Sequence, residues 1–293
     1  MDLKDWFMIK TIYDARNITR AADQLHISQP ALTYRLKQIE TELSIKIFSR
    51  SRRGIIFTPE GEYLVEYATS MMTQYRQFKD RLMDMKGSVH GELRIGISSN
   101  YAHYKLPPIL KEFLDMYPNI QTKVNTGWSA SILKSFLNEE IQIGIVRGEY
   151  DHDWDGPKIL MNEDPMCLIS KKPLHFNNLP NLPQISYKTD QNLKHLIDKW
   201  WKNNFNRPPH IMMEVDKLET CKELIKQGLG YAVIPRYLLQ NEEETLFVQN
   251  LRTPEGELIY RKLWLFYREK EMNLSVVKSF VDFIQAKLKE QHL

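Results

Sequence analysis

Residues 28–37 read Ser-Gln-Pro-Ala-Leu-Thr-Tyr-Arg-Leu-Lys. Glutamine and arginine are the side chains that grip adenine and guanine edges bidentately in the major groove, each good pair worth roughly 1–3 kcal/mol of discrimination. Ser28 is a helix cap and Pro30 suits a first turn, so a helix is expected to start here. Leu32, Leu36, Ile39 and Leu43 mark its buried stripe, which leaves Gln29, Pro30, Ala31, Thr33, Tyr34, Arg35 and Lys37 for a partner. Recognition helices read bases with their first turns. Arg50, Arg52 and Arg53 flank Gly54 and suit phosphates or the minor groove.

A second chemistry lies in the C-terminal two thirds. Small polar residues stand just beyond strand-like runs: Ser98, Ser99 and Asn100, then Gly127, Trp128 and Ser129, then Arg147. Thr189 and Asp190 follow another run, and Thr220 opens a helix after Val215. Ligands bind beyond the C-terminal ends of parallel strands, where helix N-termini favour anions. Arg147 is the leading charge for such a ligand, with a salt bridge between lobes as an equal alternative. Ser99 and Ser129 are equally expected as caps or as ligand contacts. Asp216-x-x-Glu219 has the spacing of a capping box, which is preferred to a ligand role for both acids. His103, Tyr104 and Lys105 are expected at the surface rather than at the mouth of a site.

Catalysis finds no constellation. HExxH, GxSxG, P-loop and GxGxxG patterns are lacking, and the eight histidines show no ligand spacing. Cys167 sits in an apolar run, and Cys221 falls in the first turns of a helix, where a thiol can be activated. No catalytic residue, metal or cofactor is expected.

The elements that would position these groups follow from periodicity. Leu3, Phe7 and Ile9 to Ile12 suggest a first helical face, and Asn17 caps Ile18–Leu25. His26-Ile27 breaks the chain before Ser28, giving a helix-turn-helix. Two β-prone runs, 45–50 and 55–58, enclose the basic turn as a wing. Thr58-Pro59-Glu60-Gly61 opens another helix. Along it, Leu64, Ala68, Met71, Tyr75, Phe78, Leu82 and Met85 are spaced 4-3-4-3-4-3, a heptad seam that calls for a partner helix from a second copy. Gly87-Ser88 and Gly91 mark a hinge. Strand and helix then alternate, so a mainly parallel α/β region is expected.

The 293 residues carry a formal net charge of +3. Residues 1–58 hold 10 basic and 6 acidic side chains, so the excess positive charge lies wholly in the head. Two cysteines exclude a disulfide scaffold or a thiolate zinc site. The mixed, charged start is not a signal peptide, and no run approaches a membrane span, so a reduced, cytoplasmic protein is expected.

With these residues in view, the chain resembles LysR-type transcriptional regulators over nearly its whole length. The likeness is carried by Asn17-Ile18-Thr19-Arg20-Ala21-Ala22-Asp23-Gln24-Leu25, Ile27-Ser28-Gln29-Pro30-Ala31-Leu32-Thr33, Ile39-Glu40, Leu43, Ile47-Phe48-Ser49-Arg50 and Phe57-Thr58-Pro59-Glu60-Gly61. It continues through Gly91–Gly96, Leu106-Pro107, Tyr117-Pro118 and Lys226–Pro235. Ser44 and Arg16 stand where the family often has glycine, which puts the tightness of two turns in question.

The resemblance implies a winged helix-turn-helix over 1–58, with Asn17 and Thr19 among its DNA contacts. It implies a coiled-coil linker helix over 59–88 and a two-lobed α/β effector domain over 89–293, like periplasmic binding proteins. The expected lobes are about 91–162 with 267–293, and about 163–266. The implied function is transcription regulation at promoter DNA by a homodimer, often a dimer of dimers. A small effector between the lobes, an anionic metabolite by the reading above, would modulate it. RNA polymerase is a further partner, and no membrane contact is expected. The alternative is a cytoplasmic solute-binding or sensor protein without a direct promoter role.

Overall fold

The computed structural model describes residues 1–51, 54–85, 89–150, 154–239 and 244–291. It divides into two compact units, Met1–Gly87 and Ser88–Leu293.

The first unit comprises α1 (Leu3–Ala15), α2 (Ile18–Leu25), α3 (Gln29–Leu43), the antiparallel pair β1 (Phe48–Ser51) and β2 (Gly54–Phe57), and α4 (Pro59–Asp84). Each helix start has a side-chain cap. Asp2 caps α1, Asn17 accepts the Arg20 N–H, Ser28 that of Ala31 and Thr58 that of Gly61. One core joins Met8, Ile9 and Ile12 to Ala21, Leu32, Leu36, Ile39, Ile47, Phe57, Leu64 and Ala68. The face of α1 differs from the expected one. Leu3 and Phe7 are exposed, and the carboxylate of Asp5 is buried beside Met8 and Ile9.

The turns in question are tight. Arg16, His26 and Ser44 all end helices in the left-handed region, with φ of 50°, 55° and 55°. An L-residue there costs roughly 1–2 kcal/mol. At Arg16, stacking of the guanidinium 3.8 Å from the Tyr13 ring centroid offsets part of it. The Thr-Pro-Glu-Gly sequence has a packing reason as well as a capping one. The Thr58 hydroxyl lies 2.5 Å from the Lys46 carbonyl, and a Cβ on Gly61 would stand 1.9 Å from the Ile47 carbonyl oxygen.

The second unit is built on one nine-stranded sheet. Its strands are β3 (Gly91–Ser98), β4 (Ile120–Gly127), β5 (Ile143–Arg147), β6 (Lys158–Ser170), β7 (Gln184–Tyr187), β8 (Ile211–Val215), β9 (Tyr231–Pro235), β10 (Phe247–Asn250) and β11 (Tyr260–Phe266). Its helices are α5 (Ser99–Tyr104), α6 (Leu106–Met116), α7 (Ser129–Leu137), α8 (Gln191–Asn204), α9 (Leu218–Lys226) and α10 (Ser275–Gln291). The order is β4-β3-β5-β11-β6-β9-β7-β8, with β10 beside β6. β3 with β4 and β5, and β7 with β8 and β9, are parallel; β6, β10 and β11 pair antiparallel.

The sheet is therefore mixed rather than mainly parallel, because the two strands that cross between lobes run against their neighbours. β6 runs from lobe one, where it pairs with β11, into lobe two, where it pairs with β9. β11 runs back, its Leu263–Phe266 pairing with β5 of lobe one. β10 lies in a stretch without strand alternation. Leu93, Ile95, Phe113, Leu263, Val277 and Phe280 belong to the main core of lobe one. Lobe two packs Cys167, Ile185, Cys221 and Ile234 on one face and Leu168, Leu193, Trp200 and Val233 on the other.

Candidate functional site

In the first unit, α3 carries the residues expected to read DNA, and the structure sorts them. Gln29, Pro30, Ala31, Tyr34 and Lys37 are exposed, Tyr34 to 66%. Thr19 is exposed on α2, while Asn17 and Ser28 spend their side chains as caps. The Thr33 hydroxyl is turned inward and buried. Arg35 is half-buried and already paired. Its Nε and a terminal nitrogen donate to the two oxygens of Asp5 at 2.7 and 2.6 Å, and its other nitrogen to Gln38 at 2.9 Å. Residue 35 flanks the Leu32–Leu36 stripe, so its guanidinium reaches Asp5 on α1 while its side chain stays partly exposed. Arg35 beside it holds the Asp5 carboxyl below the usual carboxylate range. Arg50 lies on β1; its side chain, with Arg52 and Arg53, is outside the described residues.

The seam of α4 is split by burial. Leu64 and Ala68 are buried in the head, where they pack on its own core. Met71 is half-buried, and Tyr75, Phe78, Leu82 and Met85 are exposed.

In the second unit, Ser98, Gly127 and Arg147 lie at the C-terminal ends of β3, β4 and β5, which are neighbours in the sheet. Ser129 is not a cap. The cap position is Trp128, and the Ser129 hydroxyl accepts the Arg147 backbone N–H at 3.1 Å. Ser99 likewise begins α5 without capping it. Asn100 is half-buried and Trp128 exposed. Thr189 is half-buried in lobe two and Thr220 is exposed on α9. The expected capping box is not formed: Lys217 holds the cap position, no side chain caps α9, and Glu219 accepts from the Tyr104 hydroxyl of lobe one at 3.4 Å.

Around Arg147 the structure assembles a charged cluster that spacing could not reveal. Arg147 is 1% exposed and stands 2.5 Å from the Asp164 carboxylate on β6. Its guanidinium lies 3.8 Å from the Tyr237 ring centroid and 5.2 Å from that of Tyr101. All three side-chain nitrogens of Arg147 are buried without a well-formed hydrogen bond, as are an oxygen of Asp164 and the Ser98 hydroxyl. Arg261 on β11 donates to Asp190 at 2.5 Å and reaches the Arg147 carbonyl at 3.4 Å. Burial pushes the Tyr101 hydroxyl up to about 12, with Arg147 opposing. Two Arg–Asp pairs thus run from lobe one through both crossing strands to the start of α8. Asp164, Arg261, Tyr101 and Tyr237 carried no sequence signal, because they meet only through the crossings.

A cavity of about 800 Å³ lies between α8 and β8, lined by Thr189 together with Tyr187, Trp201, Phe205 and Ile211. It holds none of the strand-end groups of lobe one.

Two family models match this chain. Residues 3–62 match the bacterial regulatory helix-turn-helix protein of the lysR family, and residues 86–289 match the LysR substrate binding domain. The chain belongs to the LysR family of transcriptional regulators. This LysR regulator is 43% identical over 285 residues to the uncharacterized HTH-type transcriptional regulator YraN of Bacillus subtilis (strain 168), covering 97% of this chain and 98% of that one. It is 32% identical to the uncharacterized regulator YkuM of the same strain, over 100% of this chain and 99% of the other. In fold it is similar to full-length CbnR solved with its target DNA, with a TM-score of 0.67 at 17% identity over 98% of this chain and 99% of that one. These likenesses run through the DNA-binding head, so the alternative of a sensor without a promoter role falls. The LysR regulator is a DNA-binding protein with an effector-binding domain. Among its described residues no helix is long and apolar enough to cross a membrane.

Proposed function

We propose that this LysR regulator reads duplex DNA through α3 and changes its promoter occupancy when a small acid binds between the lobes. Gln29, Tyr34 and Lys37 are the exposed reading groups of α3, with Arg50, Arg52 and Arg53 on the backbone or minor groove. The outer half of the α4 seam joins two copies, and the linked heads supply by avidity what a net head charge of +4 supplies weakly.

The observation that carries the ligand reading is the guanidinium of Arg147. It is buried against the Asp164 carboxylate with none of its nitrogens in a well-formed hydrogen bond, on the strand next to the one that Ser98 ends. A buried guanidinium gains most from a carboxylate that fills its donor fork. The two Arg–Asp pairs leave the cluster near neutrality, so a ligand carboxylate has to compete with Asp164 for the Arg147 fork. Ser99, Asn100, Gly127 and Trp128 are the lobe-one rim that would select the rest of the molecule, with Thr189, at the α8–β8 cavity, and Thr220 as the lobe-two candidates.

Thermal-shift measurements with monocarboxylic, dicarboxylic and amino acids test this on the whole chain. Saturation at 100 times Kd adds about 2.7 kcal/mol of stability. An acid should raise Tm in the wild type and not in Arg147→Gln. A shift that survives in Arg147→Gln, or that only neutral compounds produce, would overturn the assignment. Cytoplasmic localisation is part of the proposal, since the DNA target is there.

A further inference from the structure

Arg35 is a partly exposed cation of α3 that the head pairs with a carboxylate of α1. Its two-point contact with Asp5 crosses 30 residues of chain and ties the middle of α3 to the first turn of α1. Asp5 is 3% exposed and does two jobs at once. One oxygen accepts the Asp2 N–H at 2.7 Å, completing the reciprocal cap of α1, while both oxygens receive Arg35. A bidentate Arg–carboxylate fork fixes angle as well as distance. The remaining Arg35 nitrogen donates to Gln38, one turn along α3, which holds the guanidinium in plane. The apolar stripe Leu32, Leu36 and Ile39 fixes which face of α3 is buried, but apolar contact is non-directional and tolerates rotation about the helix axis. Directional bonds on its flank do not.

We infer that Asp5 and Arg35 form a latch that sets the rotation of α3 on α1, so that sequence reading by Gln29, Tyr34 and Lys37 depends on a carboxylate that touches no DNA. The inference rests on the DNA-reading role of α3. The pair also serves specificity in a second way. Latched, Arg35 is withheld from phosphates. Unlatched, it is a mobile cation beside the duplex, and each added phosphate contact steepens the salt dependence of binding by about 0.9 in log–log slope.

The test uses the full chain, the duplex that wild type enriches from a random pool, and a scrambled duplex of equal length. Asp5→Asn and Arg35→Gln should each lower the ratio of specific to scrambled affinity by about tenfold, in the range of coupled contacts. The double variant should be no worse than either single one. Asp5→Asn alone should hold or raise affinity for the scrambled duplex and steepen its salt slope; loss of fold stability by itself does neither. If Asp5→Asn does not fold, Arg35→Lys keeps the charge and loses the fork, and should show the same fall in ratio. The latch is overturned if Arg35→Gln lowers the ratio while Asp5→Asn leaves it unchanged, for Arg35 then reads DNA itself. Additive losses in the double variant, or full specificity in Arg35→Lys, overturn it too. A wild type that enriches no sequence overturns the DNA-reading role of α3 and the latch with it.

Discussion

The hydroxyl of Ser129 accepts the backbone N–H of Arg147 at 3.1 Å, inside the lobe-one end of the interlobe cluster. Both residues are buried, at 2% and 1% exposure. The bond fixes the chain that carries the guanidinium, so Ser129 acts through Arg147 before it can act on a ligand. Removing the acceptor leaves a buried N–H unpaired, which costs about 1–3 kcal/mol. Ser129→Ala should therefore lower the urea midpoint of the C-terminal unit and weaken acid binding together. An unchanged midpoint would show that the bond contributes nothing to holding Arg147.

The α4 seam divides into residues that hold the head and residues that meet a partner. Phe78 is 56% exposed, whereas Leu64 is buried in the head core. Phe78→Glu should dissociate dimers in sedimentation while leaving the melting of the head unchanged. Leu64→Ala should instead destabilise the head by about 2–5 kcal/mol, as a core truncation does. Intact dimers in Phe78→Glu would refute the outer seam as the contact.

Neither cysteine is poised for redox chemistry. Both are fully buried, and burial pushes the Cys221 thiol up to about 12 even though it lies in the first turns of α9. Its sulfur faces the Ile185 carbonyl at 3.8 Å. A thiol reagent at pH 8 should modify neither residue in the native protein and both after denaturation. Rapid native labelling of one thiol would contradict this burial.

Asp5 gives the head a sign for its acid response. Arg35 depresses the folded-state carboxyl below its unfolded value, so the stabilisation is complete above the ordinary carboxylate range. It is lost as pH falls from about 4 through the lower folded-state value. Melting curves of wild type and Asp5→Asn should converge on acidification and separate near neutrality. A gap that persists unchanged to the lowest pH would assign the loss to something other than ionised Asp5.

The head was legible in the sequence because its signals are local. Asn17, Ser28 and Thr58 cap helices by bonding an N–H three residues on, and the Leu32–Leu36–Ile39 stripe follows from helical period alone. The strand ends at Ser98, Gly127 and Arg147 were legible for the same reason, as each follows a run that must be a strand. Ser44 and Arg16 show the limit of such reading, since both hold the left-handed turn without glycine, Arg16 stacked on Tyr13 and Ser44 through its N–H on the Glu40 and Thr41 carbonyls.

What only the tertiary structure decided are the partners of long, charged side chains. Arg35 has the type and position of a base reader, yet a carboxylate 30 residues away claims its fork. Arg147 meets Asp164, and Arg261 meets Asp190, because β6 and β11 cross between lobes and pair with each other. Periodicity assigns a residue to a face of its own element. Which charge waits on the facing element depends on how the chain returns, and directional, distance-limited contacts between ions are settled only there.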